Sequence, residues 1–490
     1  MNRSLPRLHP SHGDGVSSHD CAEPCVATAR SVPTILANCQ VVDPESGTSQ
    51  SADVMVRGGV VESVQQCCSA PREMDGVVLD LHGAWLVPGL IDAHAHLTAA
   101  LAGPPTPQQL GARLDAYLEA GVTTIRDAGA RDFSVLALGR ATRSPRVIAS
   151  GRAIRHSTPA LAVAATQANV QAGARWIKAY ELEPAELSAV LGVARSSGLR
   201  VGAHLGNEPA RSLDVGLEAV EHVYTLIRHD LVPHELRAAA LVPTADQSVA
   251  TWFLSDPDAV WIAPWYESVG AKRPFVTSTL LVMSALKGGR ALVEREPRET
   301  PPWASEGLWE RWRDRIDGWG WWALGPNSSP EVRGLAFGNI CRTVRHLADA
   351  GARICAGTDF GEPVVQPGLG VFEEMRLLRA AGLSDLEVLR TATSHPADLL
   401  GLRGKLGTLA VGAWADAVAV TGNPFESWEA LTAPICVMAG GDIVVYRLSE
   451  LRCERSTGVS TGAIRVRDHF VEFPNQPLRC SGARLPNFGQ

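Results

Sequence analysis

The fold class the sequence predicts is α/β: a (β/α)8 TIM barrel with a small β-sandwich domain built from both ends of the chain. Three observations predict it. Between about Leu90 and Leu400, eight short apolar runs alternate with segments of helical periodicity. On either side of that region lie short β-branched runs punctuated by glycine pairs. Finally, a chain of 490 residues, 45% hydrophobic and 20% charged, is long enough for one large core and a smaller one.

Residues 1–32 are rich in Ser, Pro, His and Gly without periodicity, which predicts a disordered leader. Cys21 and Cys25 are spaced like half of a zinc knuckle, but no second Cys or His pair follows at finger spacing. The ten cysteines are scattered, with Cys67 and Cys68 adjacent, and read as free thiols of a reducing compartment. The N-terminus lacks the continuous apolar segment of a secretory signal, so a cytoplasmic location is expected.

The first flank, residues 33–87, contains "TILANCQVVD", "ADVMVRGGVVESV" and "GVVLDLHGAWLVPG", with Gly58-Gly59 placed for a hairpin turn. The second, residues 401–448, contains "GTLAVGAWADAVAVTGNP" and "ICVMAGGDIVVYRL", with Gly440-Gly441 placed likewise. Neither flank alone holds enough strands for a stable core, so the two are expected to pair as one composite β-sandwich. Residues 449–490 form a C-terminal extension with no readable role.

Residues 88–400 supply the barrel. Its expected strands are "LIDAHAHL", "GVTTIRDAG", "RVIASG", "ARWIKAY", "LRVGAHLG", "LEAVEHVY", "ALVPTA" and "ARICAGTD", separated by amphipathic segments such as "PAELSAVLGVARSSG" and "GNICRTVRHLADAG". The surplus length is an insertion at about residues 250–335 that holds Trp252, Trp261, Trp265, Trp303, Trp309, Trp312, Trp319, Trp321 and Trp322. Two readings stand for it: a helical lid over the mouth, or a satellite hydrophobic cluster beneath long loops.

Net charge is -7 with no basic block, which argues against nucleic acid and anionic membrane as partners, and no apolar stretch reaches membrane-spanning length. A small-molecule substrate is the expected partner. Self-association into a homo-oligomer is left open.

Barrel enzymes carry their reactive groups at the C-terminal ends of the strands. Side chains alternate along a strand, so His94 and His96 share a face, and burying both leaves ring nitrogens that a shared metal ion would satisfy. His204 and His222 end two further strands, and imidazole is a common transition-metal ligand. Asp359 closes "ARICAGTD", where an unpaired buried carboxylate is costly unless it faces a cation or strong donors. Lys178 sits in "ARWIKAY" on the face shared with Trp176 and Tyr180, so desolvation should lower its pKa. A neutral amine there can add carbon dioxide and become an anionic carbamate ligand; the alternative is a lysine snorkelling from the strand end.

In that order, "PGLIDAHAHL", "GVTTIRDAG", "GARWIKAY", "VGAHLG", "EAVEHVYT", "AGTDFG", "EEMRLLRAAGLSDLEVLRTAT" and "GTLAVGAWADAVAV" resemble the amidohydrolase superfamily, and within it the prolidase and imidazolonepropionase-like branch with two metals and a carboxylated lysine. The likeness spans about residues 33 to 447. It implies two divalent ions, zinc by default, with His94 and His96 on the more buried ion and His204 and His222 on the more exposed one. It further implies a carbamate on Lys178 bridging them, and Asp359 as a ligand that also handles protons. Two departures bear on the substrate: "GRAIRHSTPALAVAATQANV" lacks the Gly-rich loop of many relatives, and Ala413 and Trp414 stand where Lys and Asp are commoner.

The expected activity is hydrolysis of amide or peptide-like C–N bonds, in a dipeptide or N-acyl amino acid, by a metal-bridging hydroxide. Rivals are a cyclic amide, lactone or organophosphate ester hydrolase at the same site, and a non-catalytic barrel scaffold. Tyr224 would donate to the developing oxyanion or simply pack, Tyr180 is similarly placed, and His156 would reach a substrate carboxylate or cap a loop. Arg126 and Asp127 are expected to pair with each other at the rim, and His395 to be structural in a loop.

Overall fold

The structure, a computed structural model, describes residues 32–447 apart from 67–75, 99–103, 141–143, 156–157, 228–230, 232, 235–255, 289–299 and 324–328, together with a short pairing of 465–466 with 469–470. The expected leader with Cys21 and Cys25, the Cys67-Cys68 pair, His156, "ALVPTA" and most of the C-terminal extension lie outside the described residues.

Both ends of the chain contribute to one eight-stranded sheet. From the first flank come β1 (Thr34–Asp43), β2 (Thr48–Arg57), β3 (Val60–Gln66), β4 (Val77–Asp80) and β5 (Trp85–Pro88). Three more strands, β15 (Ala417–Val420), β16 (Cys436–Ala439) and β17 (Asp442–Tyr446), come from the second. The order is β17-β16-β15-β5-β1-β2-β3, with β4 also on β1, and the two flanks meet where β15 pairs antiparallel with β5. Gly58 and Gly59 (φ 57° and 78°) join β2 to β3, and Gly440 and Gly441 (φ 58° and 90°) join β16 to β17. Two consecutive left-handed residues make the tight hairpin turn whose twist matches its strands, as the glycine pairs predict. Leu36, Val54, Leu79, Leu86, Ala417 and Met438 from both flanks share one buried cluster.

The run "LVPGLIDAHAHL" changes sheets at Gly89. A Cβ there would lie 2.1 Å from Thr123 Oγ1, so only glycine lets the chain pass from β5 directly into β6 (Leu90–Ala95). Parallel strands follow: β7 (Val122–Asp127), β8 (Arg146–Ala149), β9 (Ile154–Arg155), β10 (Ile177–Tyr180), β11 (Val201–His204), β12 (Ala219–Glu221), β13 (Phe275–Thr277) and β14 (Arg353–Cys355). They form a three-stranded sheet, β6-β7-β8, and a six-stranded one, β14-β13-β12-β11-β10-β9. Backbone bonds cross both seams: Arg175 N–H donates to Ala149 O at 2.9 Å, and Ala93 N–H donates to Ala356 O at 2.9 Å.

Helices cover these strands: α1 (Pro107–Glu119), α2 (Pro159–Gln171), α3 (Pro184–Ser196), α4 (Pro209–Asp214), α5 (Ala263–Ala271), α6 (Leu280–Gly288), α7 (Leu308–Ala323), α8 (Pro330–Asp349), α9 (Leu369–Ala380), α10 (Asp385–Thr391) and α11 (Ser394–Leu399). Several begin with proline, whose fixed φ suits the first turn and whose missing N–H costs nothing there. Thr106 and Gln109 close a capping box on α1, as Ser384 and Glu387 do on α10. No helix among the described residues is long and apolar enough to cross a membrane.

Three expectations need correction. The strand beside β12 is β13, from "PFVTST" inside the Trp-rich region, so that region is not wholly an insertion; it supplies β13, α5, α6 and α7. His395 lies in α11 rather than a loop, and its Nδ1 is 2.9 Å from Ile354 O, which agrees with a structural role. Third, Arg126 and Asp127 do not pair. Neighbours in a strand point to opposite faces. Arg126 therefore reaches Glu221, while Asp127 accepts from Leu97 N–H and Gly129 N–H.

Candidate metal centre

At the C-terminal ends of the parallel strands lies a cavity of about 670 Å³ lined by His96, Lys178, His204, His222 and Asp359, among others. His94 closes its floor, fully buried beneath Asp359. The Nε2 atoms of His94 and His96 approach the same Asp359 oxygen, at 3.4 and 3.2 Å, and one ligand atom from each of these three residues falls within 4.8 Å of the others. His222 Nδ1 is 3.8 Å from the other Asp359 oxygen. The His222 ring centroid is 4.7 Å from that of His94 and 5.1 Å from that of His204. All six residues singled out in the sequence therefore meet around one cavity.

The backbone aims them. His94 belongs to β6 and His96 follows it directly; Lys178 lies within β10 and His204 ends β11. His222 and Asp359 come after β12 and β14 in left-handed conformations, φ 64° and 56°, uncommon for non-glycine residues though His and Asp are among those that adopt them most readily.

Hydrogen bonds fix the rings. Gly129 O accepts from His96 Nδ1 at 2.8 Å, which leaves Nε2 to face Asp359. Gly129 has φ 119°, and a Cβ there would press on Ala153 and the Lys178 stem at 3.3–3.4 Å. Glu221 Oε2 lies 2.6 Å from His94 Nδ1, which leaves His94 Nε2 to face Asp359. Arg126 grips that Glu221 carboxylate with both terminal nitrogens, at 2.5 and 2.7 Å, and all three side chains are fully buried. Sequence reasoning missed Glu221 and its pairing with Arg126. The available signal was a charged residue within each of two apolar strands. Thr279 Oγ1 holds His222 Nδ1 at 2.8 Å. Beneath the cluster, Asp92 accepts from His94 N–H, Thr358 N–H, Thr358 Oγ1 and Tyr117 Oη, tying β6 to the Asp359 turn.

The electrostatics ask for a cation. Burial pushes the Lys178 amine down to about 8, and its Nζ is buried without a hydrogen-bond partner. Burial likewise holds His222 well below its usual value, which keeps it neutral and able to ligate. Burial opposes ionisation of Asp359, yet His94, His96 and His222 outweigh it and hold the carboxyl well below the usual range. His94 Nε2 also lacks a hydrogen-bond partner. Buried polar atoms without partners are rare. Imidazole nitrogens, a carboxylate and an orphaned amine converging on one space make a donor set that fits divalent transition metals.

Tyr224 and Tyr180 both line the cavity. Tyr224 belongs to a 3-10 turn, Val223–Leu226, rather than to an extended strand; its hydroxyl is 2.9 Å from His204 Nε2, and its ring stacks on His222 at 5.3 Å. Tyr180 stacks on His204 at 4.4 Å. In the Trp-rich region, Trp303, Trp309 and Trp312 pack on one another at 5.0–6.5 Å, and Trp303 lies 6.1 Å from Phe360, next to Asp359. They form a satellite cluster with Leu308 and Ile316, on the helix that brings Arg315 to the cavity. Trp414 is buried under the Arg146 guanidinium at 3.8 Å.

Residues 85–240 and 338–444, more than half of the sequence, match the amidohydrolase family. The chain belongs to the amidohydrolase family. Among curated relatives, an adenine deaminase of Desulfatibacillum aliphaticivorans is 39% identical over 70 residues, 14% of this chain and 11% of that protein. The chain thus matches only about a tenth of that relative's length. Among solved structures, a bottromycin amidohydrolase superposes with a TM-score of 0.62 at 23% identity, covering 86% of this chain and 89% of that one. A prolidase complexed with N-methylphosphonate-L-proline gives 0.59 at 21% identity, covering 85% and 100%. These amidohydrolases share the fold of this chain.

Proposed function

We propose that this amidohydrolase is a metal-dependent hydrolase of amide or peptide-like C–N bonds, acting on a dipeptide or N-acyl amino acid. In this reading the two parallel sheets form one (β/α)8 barrel, β8 and the two-residue β9 counting as one interrupted strand so that nine segments make eight, closed by the backbone bonds at its seams, and the mixed sheet belongs to a composite β-sandwich beside it. The observation that carries the function is the convergence of His94, His96, His222 and Asp359 beside a buried Lys178 amine with no hydrogen-bond partner. His94, His96 and Asp359 would hold one divalent ion, His204 and His222 a second, both zinc by default, with Lys178 between them. When bound, such ions polarise a carbonyl and lower the pKa of a shared water to about 7.

The chain's own residues do the rest. With its pKa near 8, the Lys178 amine is part neutral at pH 7 and adds carbon dioxide. The ammonium first gives up one proton to water; the neutral amine then forms an N–C bond as one C=O π bond of carbon dioxide opens to a carboxylate, a second N–H proton passes to water, and an anionic carbamate remains. Asp359, in contact with two imidazoles, accepts a proton at its carboxylate and returns it to the leaving amine. Tyr224 donates its hydroxyl proton toward the oxygen that gains charge. Glu221, Gly129 and Thr279 keep His94, His96 and His222 in fixed tautomers.

A panel of dipeptides and N-acyl amino acids, assayed for amine release, tests this reading. Turnover abolished by chelator and restored by zinc supports it. No turnover of any C–N substrate by metal-replete protein sinks it.

A further inference from the structure

The cavity wall above the histidines carries more positive charge than its carboxylates answer. Glu362 faces Arg315 at 3.5 Å, Glu181 lies 3.7 Å from His204, and Asp359 is taken up by the histidines. Three lining guanidiniums remain, Arg131, Arg152 and Arg155, and none forms an ion pair with a carboxylate among the described residues.

This wall is built rather than incidental. Arg155 lies 4.3 Å over the Tyr180 ring, which stacks on the His204 ring at 4.4 Å, so two ring contacts link the guanidinium to a candidate metal ligand. The segment bearing Arg152 is clamped by buried Asn169, which accepts from Arg152 N–H at 2.9 Å and donates to Arg152 O at 2.8 Å. Ala130, next to Arg131, donates its N–H to Gly151 O at 2.8 Å, tying the third arginine to the same segment. A single carboxylate occupies one bidentate guanidinium. Three on one wall have room for both carboxylates of a diacid, as one guanidinium would not.

We propose that Arg131, Arg152 and Arg155 select substrates bearing two carboxylates: dipeptides or N-acyl amino acids whose amino-acid part is aspartate or glutamate. This rests on the hydrolase reading above, and the experiment separates the two. Metal-loaded full-length protein is assayed with Ala-Asp and Ala-Glu against Ala-Asn, Ala-Gln and Ala-Ala, while calorimetry compares binding of glutamate with glutamine. The wall predicts kcat/KM higher by about 10- to 100-fold for the acidic dipeptides. Arg155→Ala should reduce that preference about tenfold, mainly through KM, and Arg155→Lys should restore part of it. Arg152→Ala serves as the second variant should the first fail to fold. Equal turnover of acidic and neutral dipeptides, or a preference untouched by both variants, overturns the proposal and leaves C–N hydrolysis standing. If no dipeptide is cleaved, the calorimetric arm decides: glutamate binding about tenfold tighter than glutamine, lost in Arg155→Ala, supports the wall, and equal or absent binding overturns it.

Discussion

The floor and the wall of the same cavity are built on opposite principles. On the floor, His94, Glu221 and Arg126 are wholly buried, and the Glu221 carboxylate is held at 2.5–2.7 Å by the His94 ring on one side and the Arg126 guanidinium on the other. Along the wall, Arg131, Arg152 and Arg155 are exposed and form no ion pair with a carboxylate among the described residues. A buried ion pair holds one geometry because breaking it leaves an uncompensated charge at a cost of about 3–5 kcal/mol. An exposed guanidinium stays hydrated until a ligand arrives. The floor therefore fixes a reaction, and the wall chooses what reaches it.

Substitutions break or sharpen that contrast, beginning with those of largest effect. Asp359→Asn removes the proton acceptor and one of the candidate ligands, so kcat should fall about 10³-fold or more for every substrate alike, read by steady-state kinetics. A loss confined to acidic substrates would erase the division between floor and wall. Glu221→Gln should weaken zinc binding by about 10- to 100-fold, measured by chelator competition, because His94 loses the carboxylate that fixes its tautomer. The acid preference should survive that change.

Smallest is an effect that touches neither surface. Burial lifts Glu374 to about 7, although Ser278 Oγ and the amides of Leu280 and Leu281 donate to it. Its folded pKa lies above its unfolded one, so its contribution to stability is present below about pH 4.5 and is lost as pH rises through 7. Glu374→Gln should flatten the pH dependence of the melting temperature between pH 4.5 and 7 while leaving both kinetic signatures unchanged. An unaltered slope would discard this role.

Much of the centre was legible because its residues sit where a strand pattern stops. His94, His96, Lys178 and His204 each interrupt or end an apolar run, and such placements carry meaning in a parallel α/β protein. The glycine pairs named their hairpins for the same reason: only glycine takes two consecutive left-handed steps cheaply. Glu221 was hidden beside His222, where the histidine drew attention and strand alternation alone does not identify a partner. Its partner Arg126 is 95 residues away, a distance that no local pattern spans. β13 escaped because it lies within the Trp-rich stretch read as an insertion, while the Arg152–Asn169 clamp depends on how a strand break meets a helix, which composition does not encode.

Metal content per chain, measured by inductively coupled plasma mass spectrometry on wild type and Lys178→Ala purified alike, tests the central claim most directly. About two transition-metal ions per wild-type chain, falling below one in a folded Lys178→Ala, is the result expected if the lysine bridges a binuclear centre. Full, equal occupancy in both proteins would contradict a bridging lysine, and a metal-free wild type that cannot be loaded with zinc would contradict the centre itself.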